Sequence, residues 1–184
     1  MKFYTIKNYA NLMNIPDITV RDHIKRHKIK SIKISQAVDQ LVITDVENHP
    51  VLVSLSNLKG GCSKSTTGSH LAILLSRLNF KTLLIDTDHQ NQAQLFFPPK
   101  DYEKTLVDVI KGANIKDCIY EVVNPNLHMV YSGYALALLI PKITDIDWLE
   151  KAIQPIKKDY DFIVFDTSPS FDSITISVAR ASTH

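Results

Sequence analysis

Cysteine is scarce in this 184-residue chain, which holds only Cys62 and Cys118. Their spacing matches neither a disulfide framework nor a tetrahedral metal site. It also leaves too few ligands for an iron–sulfur cluster bridged between two copies of the chain. The scarcity therefore excludes small disulfide-stapled domains, and it fits a protein of a reducing compartment.

Long hydrophobic runs are also missing. The longest uninterrupted apolar run covers residues 134–140, far below the ~18 residues that a membrane-spanning helix needs. The chain begins with MKFYTIK, which lacks the apolar core of a signal peptide. We therefore expect a cytoplasmic protein with no membrane partner.

Neither sign of charge dominates the whole chain, because its formal net charge is +2. The distribution is uneven, however: residues 1–49 hold eight Lys/Arg and five Asp/Glu, whereas residues 50–184 hold thirteen and fourteen. A local basic excess is typical of a surface that contacts phosphate groups. A solvated charged face would have the same composition, so charge alone leaves both interpretations open.

The N-terminal segment has the pattern of two short helices followed by a hairpin. The first helix would end at the break formed by residues 14–16. Val20 and Ile24 are spaced four apart and so share the apolar face of the second helix. The partly alternating run at 29–34 and the apolar run at 41–43 have the pattern of two paired strands.

This order of elements is the outline of a winged helix, and residues 3–45 resemble the small winged helices of the MerR and excisionase type. A helix-turn-helix places its second helix in the major groove of DNA, and a wing contacts phosphates. The resemblance implies DNA as a partner of Thr19, Arg21, Lys25 and Arg26 on the helix and of Lys30 and Lys33 on the wing. A helical dimerisation arm with an incidental basic face is the alternative.

A polar break at residues 47–50 divides the chain into domains of residues 1–49 and 50–184. In the second domain, apolar strand-like runs at 51–55, 82–85, 127–131 and 162–165 alternate with helix-like runs at 64–78, 105–112 and 146–158. Apolar strands separated by helices indicate an α/β fold, a buried parallel sheet with helices on both faces. The first of these helices is predicted to have one apolar side, which consists of Leu71, Leu74, Leu75 and Leu78.

The strongest local signal is Asn57-Leu58-Lys59-Gly60-Gly61-Cys62-Ser63-Lys64-Ser65-Thr66-Thr67, between the first strand of this domain and its first long helix. That context is the one that a phosphate-binding loop requires. Gly60 and Gly61 lack Cβ atoms, so backbone N–H groups can approach phosphate oxygens. Lys64 would pair with the β- and γ-phosphates of ATP, and the Ser65 hydroxyl would bind Mg²⁺. The predicted nucleotide-binding residues are Lys59, Gly60, Gly61, Cys62, Ser63, Lys64, Ser65 and Thr66.

The strict P-loop pattern requires glycine where this chain has Leu58 and Ser63. The variant form K-G-G-x-x-K-[ST]-[ST] does match, and through it the second domain resembles the ParA/Soj/MinD-type partition ATPases with a deviant Walker A motif. In that family the extra lysine reaches the nucleotide of the partner subunit, so the resemblance gives this role to Lys59. Ser63 replaces the family's glycine, and a left-handed backbone at this position would cost serine about 1–2 kcal/mol.

Two strand ends are expected to supply carboxylates near the phosphates, because Mg²⁺ and an attacking water need oxygen ligands. Residues 86–92 are similar to the family's D-x-D-P-Q-x-N segment, with His89 in place of its proline. Residues 160–170 resemble the family's Walker B strand, with Ser168 in place of one of its prolines. The resemblance implies that Asp88 positions the attacking water. It implies a metal site of Ser65, Asp86 and Asp166 and catalytic roles for Lys59, Lys64 and Asp88.

The resemblance covers about residues 50–180 and implies an ATPase of plasmid or chromosome partition. In such proteins an ATP-dependent homodimer binds nucleoid DNA non-specifically, a centromere-bound ParB-like partner stimulates release, and an N-terminal winged helix represses the partition operon. Because family members continue with further strands, we expect a P-loop domain that is C-terminally short. The alternative is a non-enzymatic, DNA-binding transcriptional regulator with a degenerate nucleotide domain.

Overall fold

The computed structural model describes residues 2–26, 31–32, 41–44, 50–99 and 102–183. The chain forms two compact units, Met1–Asn48 and His49–His184. The division falls within the polar break at residues 47–50, where hydrophobic periodicity is interrupted.

The described residues of the first unit form two helices and a three-stranded antiparallel sheet. Its elements are β1 (Lys2–Thr5), α1 (Ile6–Met13), α2 (Asp17–Lys25), β2 (Ser31–Ile32) and β3 (Leu41–Thr44). The sheet order is β1-β3-β2, so β2 and β3 pair as the hairpin pattern predicts. The sequence pattern did not predict β1, because β3, its partner among the described strands, is distant along the chain.

A small apolar core joins the two helices of the first unit. Ile6 and Ala10 of α1 and Val20 of α2 are buried together, and Ile24 packs against them. The predicted shared face of Val20 and Ile24 is therefore confirmed. α1 ends at Met13, and the next residue, Asn14, has a left-handed φ of 53°, a conformation that asparagine adopts more readily than most residues.

The second unit alternates strands and helices along the chain. Its regular elements are β4 (Val51–Leu55), α3 (Lys64–Arg77), β5 (Thr82–Asp86), α4 (Leu106–Ile110), β6 (Tyr120–Glu121), β7 (Leu127–Val130), α5 (Leu136–Leu139), α6 (Trp148–Ile153), β8 (Phe162–Asp166) and α7 (Ser173–Ala181). The helix predicted at 146–158 is shorter than expected and continues as a 3-10 turn, Gln154–Asp159. Pro155 explains this change, because proline lacks the N–H donor that a regular helix interior needs.

The sheet of the second unit has the order β4-β8-β5-β7-β6. The first four strands of this order are parallel, and β6 pairs antiparallel with β7. Leu83 and Ile85 of β5 belong to the core on one face, whereas Leu84 packs with Ala72 of α3 on the other. The predicted α/β fold with helices on both faces is therefore confirmed.

The buried side of α3 differs in part from the prediction: Leu71 and Leu75 are partly buried against the core as expected, but they are not the most buried residues of the helix. Small residues face the sheet, namely Gly68, Ser69, Ala72 and Ser76, while Leu74 is 57% and Leu78 39% exposed. A Cβ on Gly68 would lie 2.7 Å from Leu55 Cδ1, so the helix approaches β4 too closely for large side chains. Spacing alone could not distinguish this face, because both sides of the helix have a helical period.

β4 is less buried than its apolar sequence indicates. Only Leu52 among its five residues is fully buried, because β4 lies at the edge of the sheet with β8 as its one neighbour among the described strands. On the outer side, the Thr183 amide donates to the Leu52 carbonyl over 2.9 Å, and the Leu52 amide donates to Thr183 Oγ1 over 3.1 Å. Thr183 therefore satisfies part of an otherwise open strand edge.

Candidate nucleotide-phosphate site

The carboxyl ends of three neighbouring strands meet at one edge of the sheet. Leu55, the last residue of β4, is in register with Asp166 of β8, and Asp166 is in register with Asp86 of β5. The loop that leads to α3 begins directly after Leu55. In open parallel sheets ligands bind outside the carboxyl ends of the strands, so the sheet brings the loop and both acids to a position suited to a ligand.

The loop between β4 and α3 has two residues in the left-handed region. Gly61 has a φ of 73° and Ser63 a φ of 56°, a pattern that turns successive N–H groups towards one concave side. Asn57 holds the loop at its start, since its side chain accepts from the Lys59 amide over 2.9 Å. The Asn57 carbonyl accepts from Lys64 Nζ over 3.2 Å, which keeps the Lys64 ammonium against the loop.

Replacing Ser63 by glycine is expected to raise the free energy of unfolding by about 0.5–1 kcal/mol, because glycine adopts a left-handed backbone without a Cβ clash. Cys62→Gly is the matched control, since the φ of Cys62 is not positive; glycine there increases the entropy of the unfolded chain and removes the weak donation of Cys62 Sγ to the Gly60 carbonyl. We expect this control to lower stability by about 0.5–1 kcal/mol. Urea denaturation measures both, and shifts of the same sign would contradict the strain at Ser63.

Asp86 and Asp166 are buried with little hydrogen bonding. Oδ2 of Asp86 and both carboxylate oxygens of Asp166 accept no hydrogen bond from a described residue. Burial raises the pKa of Asp166 to about 6, and the Asp88 charge adds to this rise, while the nearby Ser65 hydroxyl and Lys64 lower it. Ser65 is thus close to Asp166 without completing a hydrogen bond to it. Burial also raises the pKa of Asp86 well above its ordinary value, and the Asp166 charge is the next cause.

These orphaned oxygens fit a divalent cation better than a protein partner. Mg²⁺ prefers oxygen ligands and usually keeps several waters, so it is bound through one or two carboxylates together with phosphate oxygens. Within the described ranges no cluster of three or more His, Cys, Asp or Glu side chains could hold a metal alone. The predicted set of Ser65, Asp86 and Asp166 therefore suits Mg²⁺ that arrives with a phosphate ligand, and not a structural metal enclosed by protein groups.

Asp88 lies in the turn after β5, and hydrogen bonds with Asp86 and Gln90 hold it in place. Its amide donates to Asp86 Oδ1 over 2.9 Å, and its Oδ1 accepts from the Gln90 amide over 2.9 Å. His89 Nδ1 lies 3.7 Å from the same oxygen. The turn is thus well bonded although it lacks the proline of the family motif.

Two polar residues for which the sequence predicted no role, Asn91 and Ser132, connect this turn to the end of β7. The Ser132 hydroxyl donates to Asn91 Oδ1, and Asn91 Nδ2 donates to the carbonyl of His89 over 3.1 Å. Ser132 also lies close to Asp86, and its hydroxyl lowers the pKa of that acid. No local motif marks Ser132, because only the pairing of β7 with β5 brings it to the acids.

A cavity of about 370 Å³ lies at this edge of the sheet. The loop from Gly60 to Thr66 lines the cavity together with Asp88. Five further lining residues were not predicted for the site, namely Gln90, Gln92, Leu95, Phe96 and Pro169. Lys59 is exposed at the start of the loop and is outside this lining. Seven of the eight predicted nucleotide-binding residues therefore line the cavity together with Asp88, and Lys59 is the one that does not.

Four of the six predicted DNA-binding residues lie on α2 or directly after it. Arg21, Lys25 and Arg26 are exposed and Thr19 is half-buried, while Arg26 Nε forms an ion pair with Asp22 over 3.0 Å. An exposed pair of this kind contributes little to stability, so the arginine can exchange it for a phosphate. Lys30 and Lys33 lie outside the described residues, and their wing role stays a prediction.

The second unit is related to a known protein family. A profile of the AAA domain family AAA_31 matches residues 51–183. The chain belongs to this family. This AAA_31 member is 30% identical over 138 residues to the sporulation initiation inhibitor protein Soj of Bacillus subtilis (strain 168). The aligned region covers 71% of this chain and 54% of Soj.

Solved structures share the fold of the AAA_31 unit. A plasmid partition protein from Borrelia burgdorferi superposes with a TM-score of 0.67 at 30% identity. The superposition covers 72% of this chain and 62% of the partition protein's chain. The ATP complex of a McdA variant from Cyanothece has a TM-score of 0.68 at 25% identity, with coverage of 73% and 54%. The unit is therefore a ParA-like P-loop ATPase domain.

The chain spans about half the length of the curated relatives it matches. Within the part of the chain that the structure describes, no helix is long and apolar enough to cross a membrane.

Proposed function

We propose that this chain is a ParA-like ATPase of partition or positioning, which binds ATP with Mg²⁺ at the loop after β4 and hydrolyses it. The observation that carries the proposal is the meeting of three features at one sheet edge: a left-handed loop at Gly61 and Ser63, the Lys64 ammonium, and the buried, orphaned oxygens of Asp86 and Asp166. A purely structural role would leave three buried carboxylate oxygens of these acids without a partner among the described residues, and such groups are costly to fold.

The roles of the individual residues follow from their positions. Backbone N–H groups of the loop and the N-terminus of α3 would hold phosphate oxygens, and Lys64 would leave the Asn57 carbonyl to pair with them. Bound Mg²⁺ supplies charge neutralisation at the phosphates. Ser65 and Asp166, with Asp86 behind them, would hold the cation, and Asp88 would orient the attacking water at the rim of the cavity.

Exposed groups around the cavity support an ATP-dependent homodimer. Lys59 is exposed at the loop, and next to it Leu58 is 68% exposed. Leu95 in the cavity wall is 78% exposed, and Phe171, two residues beyond the lining residue Pro169, is 79% exposed. Apolar groups collected around a polar site are typical of an interaction surface. In the proposed dimer, Lys59 would reach the phosphates of the partner subunit.

Lys59→Ala is expected to weaken the ATP-dependent dimer at least about 10-fold, because a charge-assisted contact at a buried interface is lost. Nucleotide binding to the monomer should stay nearly unchanged. Sedimentation velocity of the full chain with ATP, with ADP and without nucleotide measures the dimer, and Lys116→Ala, at an exposed lysine outside the cavity, is the control. A monomer under all conditions for the unsubstituted chain would overturn the proposed dimer.

DNA and a centromere-bound, ParB-like protein are the proposed partners. The exposed face of α2, with Arg21, Lys25 and Arg26, also favours a second function, that of a DNA-binding regulator in which nucleotide only modulates operator binding. One set of measurements separates the two functions. If the chain hydrolyses ATP and DNA stimulates the hydrolysis, the partition ATPase is supported. If the chain hydrolyses no ATP but binds a specific DNA sequence, and Lys25→Ala weakens that binding, the regulator is supported.

A further inference from the structure

A second and larger concave surface lies elsewhere in the AAA_31 unit, between the C-terminal end of α4 and α6. It encloses about 750 Å³, within the range of small-molecule sites. None of its lining residues lines the phosphate cavity. Its occupant therefore does not depend on the proposed nucleotide chemistry.

The floor of this groove is apolar and rigidly supported. Its apolar wall includes Ile110, Ile115, Leu139, Ile143, Trp148 and Ala152. Ile115 is buried in the main core, and the other five are partly buried and pack against that core from outside. One side of each of these five side chains is thus fixed by the fold, so the groove is preformed and needs little ordering to bind a ligand.

The rim of the groove is positively charged. It carries Lys111, Lys142 and Lys151 against a single acid, Asp145. Lys151 Nζ pairs with Asp145 Oδ2 over 2.6 Å, whereas Lys111 and Lys142 are exposed and form no ion pair with a described residue. Two cations are therefore available at the edge of an apolar surface, an arrangement complementary to an apolar body with an acidic group.

We propose that this groove binds a small amphiphilic carboxylate, with its hydrocarbon part on the apolar floor and its acid between Lys111 and Lys142. A cationic amphiphile meets the wrong charge at the rim. A highly charged ligand such as a nucleotide has too little apolar surface for the floor. The site is separate from catalysis, so a ligand here would act on the AAA_31 unit from outside its phosphate cavity.

Trp148 is the one tryptophan of the chain and lines the groove, so its fluorescence reports on this site alone. The full chain is titrated with dodecanoate below its micelle concentration, and with dodecan-1-ol and dodecyltrimethylammonium, which share the same hydrocarbon body. Dodecanoate is expected to give a saturable change in Trp148 emission and to bind about 5–10-fold more tightly than the alcohol, as two surface ion pairs allow. Equal binding of all three probes, or no response to dodecanoate, overturns the proposal.

Two kinds of variant locate the site. Lys111→Gln and Lys142→Gln should each weaken dodecanoate binding about 2–5-fold without changing the affinity for dodecan-1-ol, and Lys158→Gln, at an exposed lysine outside the groove, should have no effect. Ala152→Phe should fill the floor and weaken both probes. The lysine variants change only exposed side chains, so they test the proposal even if Ala152→Phe does not fold. Unchanged dodecanoate affinity in both lysine variants overturns it.

Discussion

Lys64→Ala is expected to lower the rate of Mg²⁺-dependent ATP hydrolysis at least about 100-fold, the loss seen when a preorganised charge or donor is removed from a transition state. Lys64 is the first residue of α3, and its ammonium rests on the Asn57 carbonyl at 3.2 Å, a neutral acceptor that it can leave for a phosphate. No other lysine lines the cavity among the described residues, so no neighbouring cation would replace it. Steady-state release of phosphate from purified full chain measures the effect.

Two controls make this result specific. Lys116→Ala removes an exposed lysine outside the cavity and should leave turnover unchanged. Lys64→Arg keeps the charge but changes its shape, and since the two cations are not interchangeable at a phosphate, only partial activity is expected. Turnover of Lys64→Ala within a few fold of the unsubstituted chain would exclude the loop as the catalytic phosphate site.

Asp166→Asn is expected to abolish the Mg²⁺ dependence of nucleotide binding and, at the same time, to stabilise the nucleotide-free protein. The second effect follows from the pKa of Asp166, which burial raises from 3.8 to about 6. A raised pKa means that the fold favours the protonated acid, so its contribution to stability is complete below about pH 4 and is lost as the pH rises through about 6. Asparagine imitates the neutral acid and retains that contribution at higher pH.

The expected gain is about 1–3 kcal/mol of unfolding free energy at pH 7.5 in EDTA, from ~1.4 kcal/mol for each pKa unit. It should disappear near pH 4, where Asp166 is itself protonated. Urea denaturation of both proteins across this pH range measures the difference. A loss of stability at pH 7.5 would show that the buried carboxylate has a partner that compensates its charge.

Asp161→Asn is the matched control for this prediction. Asp161 is also a buried aspartate, but its Oδ2 accepts from the Lys81 amide over 2.9 Å. A carboxylate with a donor is stabilised in its charged form, so the same substitution there should give no gain. The contrast between the two variants separates a site that awaits a cation from an ordinary structural carboxylate.

The local parts of the candidate site could be predicted from sequence. The loop from Lys59 to Thr66 and the acids Asp86, Asp88 and Asp166 each follow an apolar run, and the ends of adjacent parallel strands necessarily lie at one sheet edge. Their positions along the chain therefore predicted that Lys64, Asp86 and Asp166 lie at the same end of the sheet, and the placement of β8 between β4 and β5 brings the two acids into register. The sequence also indicated that Ser63 would be strained if the loop needed a left-handed backbone at this position. The φ of Ser63, 56°, is left-handed.

Features that depend on strand order and close packing could not be predicted. Ser132 has no motif, and it reaches Asp86 only because β7 lies next to β5. The buried side of α3 consists of small residues because the helix approaches Leu55 and the sheet closely, which periodicity does not report. The cation-rimmed groove joins the end of α4 to α6, two segments that nothing in the sequence links.

The sequence by itself determined the chemistry available to this protein: a glycine-containing loop before a helix, a lysine and a serine at its end, and three aspartates after apolar strands. It could do so because each of these signals depends on residues within a few positions of one another. Only the tertiary structure decided which groups are buried without partners, which face of α3 packs, and where a second ligand could bind. These properties depend on desolvation and on contacts between distant segments, and neither exists until the sheet has formed.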